Sequence, residues 1–129
     1  MSWQFQYIWL LSALLLVSCK DQQAPTQSSS LSTLVDVTQA KALIEAQSVT
    51  LIDVRTPAET KEGMIEGAIE IDYRAGGFRE NLNKLDKKKA YLVYCKSGGR
   101  SAKTQKMMNE LGFLKVYDLD GGYTAWSKK

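Results

Sequence analysis

The sequence predicts an open α/β fold, a parallel sheet of about five strands with helices on both faces. Three observations carry that expectation. Short apolar runs alternate with stretches of helical spacing along the chain, a pattern that implies parallel strands joined by right-handed crossovers. The segment Val49-Thr50-Leu51-Ile52-Asp53-Val54 is almost continuously apolar, as expected of a strand covered on both faces. The run Tyr91-Leu92-Val93-Tyr94 leads directly into Cys95 and a pair of glycines, which puts a thiol at the carboxyl end of a strand, where such sheets bind ligands.

The elements follow in chain order. Leu34 to Val37 is read as the first strand, and Thr38 as the N-cap of a helix from Gln39 to Ala46. After the second strand, Thr56-Pro57-Ala58-Glu59 has the form of a capping box with proline at the first helical position, and Gly63 stops that helix. Ala68 to Ile71 is a short third strand; Phe78, Leu82 and Leu85 have helical spacing. The charged Asp86-Lys87-Lys88-Lys89 is a solvated turn before the strand Ala90 to Tyr94. The next helix, Ala102 to Leu111, turns Met108 and Leu111 to the core and ends at Gly112, with Met107-Met108 read as core filling. Phe113 to Leu119 forms the last strand, and Gly121-Gly122 turns the chain into a terminal helix around Tyr123 to Ser127.

A chain of 129 residues makes one domain comfortably and two poorly. Its net charge of +3 comes without a Lys/Arg run or interleaved aromatics, so no nucleic-acid partner is expected. The chain contains no histidine, which excludes Cys-His and Ser-His-Asp arrangements. Cys95 must then be activated by electrostatics. A cysteine between strand and helix sits where backbone N–H groups converge and the helix dipole favours an anion, and glycines let the backbone fold tightly around it. The segment Lys96-Ser97-Gly98-Gly99-Arg100-Ser101 is the candidate anion cup. No cofactor and no metal site is expected, since histidine is missing and the two cysteines, Cys19 and Cys95, have separate surroundings.

Cys19 ends an apolar segment, Ile8 to Val17, well short of the roughly 20 residues of a membrane span. The tetrad Leu16-Val17-Ser18-Cys19 resembles the lipobox of bacterial lipoproteins, although Met1 to Tyr7 lacks the usual Lys or Arg. The resemblance implies that residues 1–18 are a signal peptide cleaved before Cys19, that Cys19 is lipidated, and that the protein is held on a membrane of a bacterial cell envelope, facing the periplasm or exterior. Residues 19–32 are polar and aperiodic and read as a flexible tether, leaving 33–129 as the folded domain. Cys95 is then the remaining thiol, with no disulfide partner.

From Leu34 to Trp126 the residues resemble a rhodanese domain. Leu51-Ile52-Asp53-Val54-Arg55-Thr56-Pro57-Ala58-Glu59 is similar to the first signature of that family and Gly63-Met64-Ile65-Glu66-Gly67-Ala68 to its continuation. Cys95 to Ser101 is similar to its active-site loop, and Asp118-Leu119-Asp120-Gly121-Gly122-Tyr123-Thr124-Ala125-Trp126 to its closing Gly-Gly turn and tryptophan. The resemblance implies a sulfurtransferase, in which a small anionic donor such as thiosulfate, or a persulfide, gives sulfane sulfur to Cys95 and a thiol or cyanide-like acceptor takes it away. It further implies that Arg55 contacts the anionic donor, that Arg100 holds the loop or offsets charge, that Lys96 and Ser97 stand at the rim, and that Asp53 is an architectural support. A monomer is expected. Two positions depart from the family pattern: Met64 stands where many relatives carry histidine, and Ser97 where some thiosulfate-preferring relatives carry lysine.

Two alternatives remain at the level of sequence. One is a carrier or binding module in which Cys95 holds sulfur without turnover. The other is a cysteine phosphatase or arsenate reductase, whose loop resembles cysteine, five residues and arginine; here four residues separate Cys95 from Arg100.

Overall fold

The two innermost hydrophobic strands feed alternate side chains to two different cores, which is why their sequences read as unbroken apolar runs. Tyr91, Val93 and Cys95 join one buried cluster with Ile52, Phe78, Leu82, Met108 and Val116, while Leu92 and Tyr94 join the other with Val35, Val37, Ala40, Leu51 and Leu119. The structure, a computed structural model, describes residues 31–128. The expected signal peptide, Cys19 and the tether as far as residue 30 lie outside the described residues.

The elements are β1 (Leu31–Val35), α1 (Val37–Glu45), β2 (Thr50–Asp53), α2 (Pro57–Thr60), β3 (Ile69–Glu70), α3 (Phe78–Asn83), β4 (Ala90–Tyr94), α4 (Gly99–Glu110), β5 (Lys115–Leu119) and α5 (Gly122–Trp126). The five strands form one sheet in the order β1-β5-β4-β2-β3, and every neighbouring pair is parallel. Helices α3 and α4 cover one face, and α1 and α5 cover the other. This is the open parallel α/β sheet with helices on both faces that the sequence predicts.

Several boundaries differ from the sequence expectation, each for a local reason. The sheet begins at Leu31, so Leu31 and Ser32, assigned to the tether, pair with Lys115 and Val116 of β5. β1 is an edge strand, paired on one side alone, and Leu34 on it is exposed while Val35 is buried. The cap of α1 is Asp36, not Thr38: the Asp36 carboxylate accepts from the Gln39 N–H at 2.8 Å, and Gln39 Oε1 accepts from the Asp36 N–H at 3.0 Å. Val37 therefore belongs to the helix and is buried beneath it. The third strand contracts to Ile69–Glu70, which pairs with Ile52 and Asp53 at the opposite edge.

The difference that matters most lies after β4. Helix α4 starts at Gly99 and not at Ala102, so Gly99, Arg100 and Ser101 form its first turn. The connection from Cys95 is thereby reduced to Lys96, Ser97 and Gly98. Gly98 is the cap residue, with φ of 113°, a conformation that glycine adopts without steric cost.

Candidate active site

Cys95 follows the last residue of β4 and is buried, with its sulfur at the N-terminus of the 12-residue helix α4. The Gly98 N–H donates to Sγ at 3.1 Å, and the Ser101 hydroxyl lies 3.5 Å from it. Burial is the strongest influence on the thiol and favours its neutral form. Against it act the Ser101 hydroxyl and the backbone N–H groups of Ser101, Gly98 and Ser97, and together they hold the thiol below its ordinary range. The Gly98 and Ser101 N–H groups are among those a helix start leaves without intrahelical partners.

The loop is held from behind by the chain's last turn. The Tyr123 N–H donates to the Cys95 carbonyl at 2.8 Å and the Thr124 N–H to the Lys96 carbonyl at 2.9 Å. Gly122, at φ of 57°, packs directly on this peptide; a Cβ there would stand 2.5 Å from the Cys95 oxygen and 2.7 Å from that of Lys96. The two-glycine turn thus fixes the backbone bearing the thiol, besides reversing the chain.

Arg100 and Glu59 close the other side. The Arg100 guanidinium makes a two-pronged ion pair with Glu59, Nη1 to Oε2 at 2.8 Å and Nη2 to Oε1 at 2.7 Å. Glu59 also accepts from the N–H and hydroxyl of Thr56, at 3.0 and 2.9 Å. Arg100 therefore ties the first turn of α4 to the start of α2, and its guanidinium is turned onto a carboxylate. Hydrogen bonding from Arg100 holds the Glu59 carboxyl well below the usual range, reinforced by Thr56.

Arg55 stands in an internal ion pair. It is 4% exposed and Asp53 is fully buried. Nη2 donates to Asp53 Oδ2 at 2.7 Å and to the Gly63 carbonyl at 2.7 Å, and Nε donates to both carboxylate oxygens. The guanidinium also lies over the Tyr123 ring, 4.1 Å from its centroid. The arginine that the sequence resemblance assigns to an anionic donor is occupied here by Asp53, Gly63 and Tyr123. Lys96 and Ser97 are exposed, and Met64 is half-buried. Beside Lys96 opens a 250 Å³ cleft lined by Arg55, Glu59, Glu62, Tyr123, Thr124 and Ser127.

The profile of the rhodanese-like domain matches residues 36–129, and this includes the whole site. The chain belongs to the rhodanese-like domain family. YtwF of Bacillus subtilis is 44% identical over 87 residues, covering 67% of this chain and 82% of YtwF. A sulfurtransferase of Allochromatium vinosum is 32% identical over 89 residues, covering 69% and 81% of the two chains. Among solved structures, a rhodanese-related protein of Thermoplasma volcanium is 30% identical and superposes with a TM-score of 0.67, over 74% of this chain and 91% of that one.

Within this rhodanese-like site, sequence reasoning brought together Cys95, Lys96, Ser97, Gly98, Gly99, Arg100 and Ser101, and the structure groups them at one helix start. It missed Glu59 as the partner of Arg100, Tyr123 beneath Arg55, and the seating of Gly122 on the Cys95 peptide. The capping box announced Glu59 only as a local cap; its pairing with a residue 41 positions later leaves no periodicity to read.

Proposed function

We propose that this rhodanese-like domain is a sulfurtransferase that carries sulfane sulfur on Cys95. One observation carries the reading: a buried sulfur, with no histidine in the chain, sits among N–H donors and a hydroxyl at a helix start that lower its proton affinity. The Cys95 thiolate attacks the outer sulfur of a donor such as thiosulfate. The donor S–S bond breaks and sulfite leaves with the bonding pair, so that a Cys95 persulfide forms without a proton or an external electron. An acceptor nucleophile, cyanide or a thiolate, then attacks the terminal sulfur and restores the Cys95 thiolate. The N–H groups that hold the thiolate stabilise the anionic persulfide through both steps. The naming of a relative as a sulfurtransferase agrees with this reading.

In this scheme Lys96 and Ser97 meet the donor at the rim, Gly98, Gly99 and Ser101 shape the cup, and Arg55 and Asp53 brace its wall. Arg100 braces the loop through Glu59, an arrangement that speaks against a phosphatase, in which the loop arginine must face the bound oxyanion. With thiosulfate and cyanide the protein is expected to form thiocyanate catalytically, and Cys95→Ser to fall to background while keeping its fold. Thiocyanate formation by the Cys95→Ser protein at the wild-type rate would refute the assignment.

The domain works, in the same proposal, as a monomer at the end of a tether, anchored to a bacterial envelope membrane through lipid on Cys19. Cys19→Ser is expected to move the protein from the membrane fraction to the soluble envelope fraction. Unchanged fractionation would exclude the anchor.

A further inference from the structure

The two ends of the parallel sheet differ in charge. Because the five strands run the same way, they all start at one end of the molecule, and Cys95 lies at the other. At the starting end, Lys84 closes α3, Lys87, Lys88 and Lys89 form the turn into β4, and Lys115 opens β5 in register with Ala90. The turn is held against β5, for the Leu114 N–H donates to the Lys87 carbonyl at 3.1 Å. Lys84, Lys88, Lys89 and Lys115 are exposed, and none of these lysines is in an ion pair among the described residues. Beside them Leu114 is 45% exposed.

The carboxylates at this end leave that charge standing. Asp86 accepts from the Lys88 N–H at 2.9 Å, Glu110 is paired with Arg79, and Glu45 ends α1. Acidic residues gather instead where the strands finish. Asp36 follows β1, Glu70 closes β3 with Asp72 beyond it, and Asp120 follows β5, offset in part by Arg74 and Lys96.

A cluster of ammonium groups with an exposed leucine among them matches an anionic lipid surface, which offers phosphate charge at its headgroups and apolar chains beneath. The entry of the chain into the fold favours that partner over a nucleic acid. Residue 30 leads into Leu31, and Leu31 pairs with Lys115. An anchor on Cys19 therefore pulls on the domain from beside the lysines. We propose that the lysine-bearing end of the sheet is a docking surface for an anionic phospholipid bilayer.

Each lysine at such a surface strengthens the contact about five-fold. A contact of this kind is reversible and supplements a lipid anchor without replacing it. Strand β4 carries the chain about 17 Å from Ala90 to Cys95, whereas salt confines the surface potential to about 10 Å. Cys95 then opens away from the bilayer, and an anionic sulfur donor reaches it without repulsion.

The proposal rests on the proposed anchor for the place of the bilayer, and its test reads the lysine end alone. The full chain is mixed with vesicles of phosphatidylcholine, with or without phosphatidylglycerol, and acetylated with a water-soluble ester, each lysine being followed by mass spectrometry. With phosphatidylglycerol, Lys84, Lys88 and Lys89 are expected to react at least about three-fold more slowly, and high salt should abolish the protection. Acetylation of Lys61 and Lys103, and alkylation of Cys95, should be the same with both vesicles. Replacing both exposed residues of the turn, Lys88→Gln with Lys89→Gln, should remove the protection of Lys84, whereas Lys61→Gln with Lys103→Gln should leave it intact. Equal rates with both vesicles, or protection centred on Lys61 and Cys95, would overturn the proposal. So would protection of the same lysines by duplex DNA with none from phosphatidylglycerol. Fractionation of Cys19→Ser reads the anchor and this footprint reads the lysine surface, so each can fail alone.

Discussion

A thiol as buried as that of Cys95 would keep its proton if nothing else acted on it. Its lowered proton affinity comes from donors that Ser97, Gly98 and Ser101 supply around the start of one helix. Gly98 serves twice here: its left-handed φ starts the helix, and its N–H donates to the sulfur. Arg55 illustrates the opposite case, a charged residue at the site whose hydrogen bonds point inward. Removing it would leave the fully buried Asp53 carboxylate without its partner, and loss of one member of a buried pair costs about 3–5 kcal/mol. Arg55→Ala is therefore expected to lower stability by about 3 kcal/mol or more in urea unfolding, with a smaller change in rate per folded molecule. A large rate loss at unchanged stability would instead place the Arg55 guanidinium on the donor.

Among the elements, α2 is only four residues long and cannot hold itself together as an isolated helix. Its Thr56 and Glu59 lock its start, and the same Glu59 carboxylate grips Arg100 at the start of α4. The clasp ties the loop that follows β2 to the helix that carries the cup. Glu59→Gln is expected to cost about 1–2 kcal/mol at neutral pH, since both side chains are partly shielded from water. The sign of its pH dependence follows from the lowered proton affinity of Glu59. The stabilisation is complete above the unfolded carboxyl value of about 4.3 and is lost as pH falls toward the folded value. The stability gap between wild type and Glu59→Gln, measured by denaturant unfolding, should be constant between about pH 5 and 7 and shrink below about pH 4. A gap that widens in acid would mean that the pair does not act in this way.

For the molecule as a whole, the sheet was legible because its strands carry their own signals. Leu51-Ile52 and Leu92-Val93 each place successive residues in two cores, and such runs need two covered faces. Alternation with helices then fixes parallel pairing. What escaped was interaction between distant segments. Nothing at Leu31 or Ser32 announces a strand, because β1 exists by pairing with β5, more than 80 residues later. The true start of α4 was hidden by Gly98-Gly99, which reads as loop although Gly98 is the cap and Gly99 the first helical residue. That shift of three residues is what brings Ser101 onto the sulfur.

The loop, the helix start and the two-glycine turn converge on one claim, that Cys95 accepts a single sulfur atom and gives it up again. Intact mass spectrometry tests this most directly. After incubation with thiosulfate or a persulfide donor, the wild-type chain should gain the mass of one sulfur atom, localised to Cys95, and cyanide should remove it as thiocyanate. No gain with any donor, or the same gain in Cys95→Ser, would contradict the account.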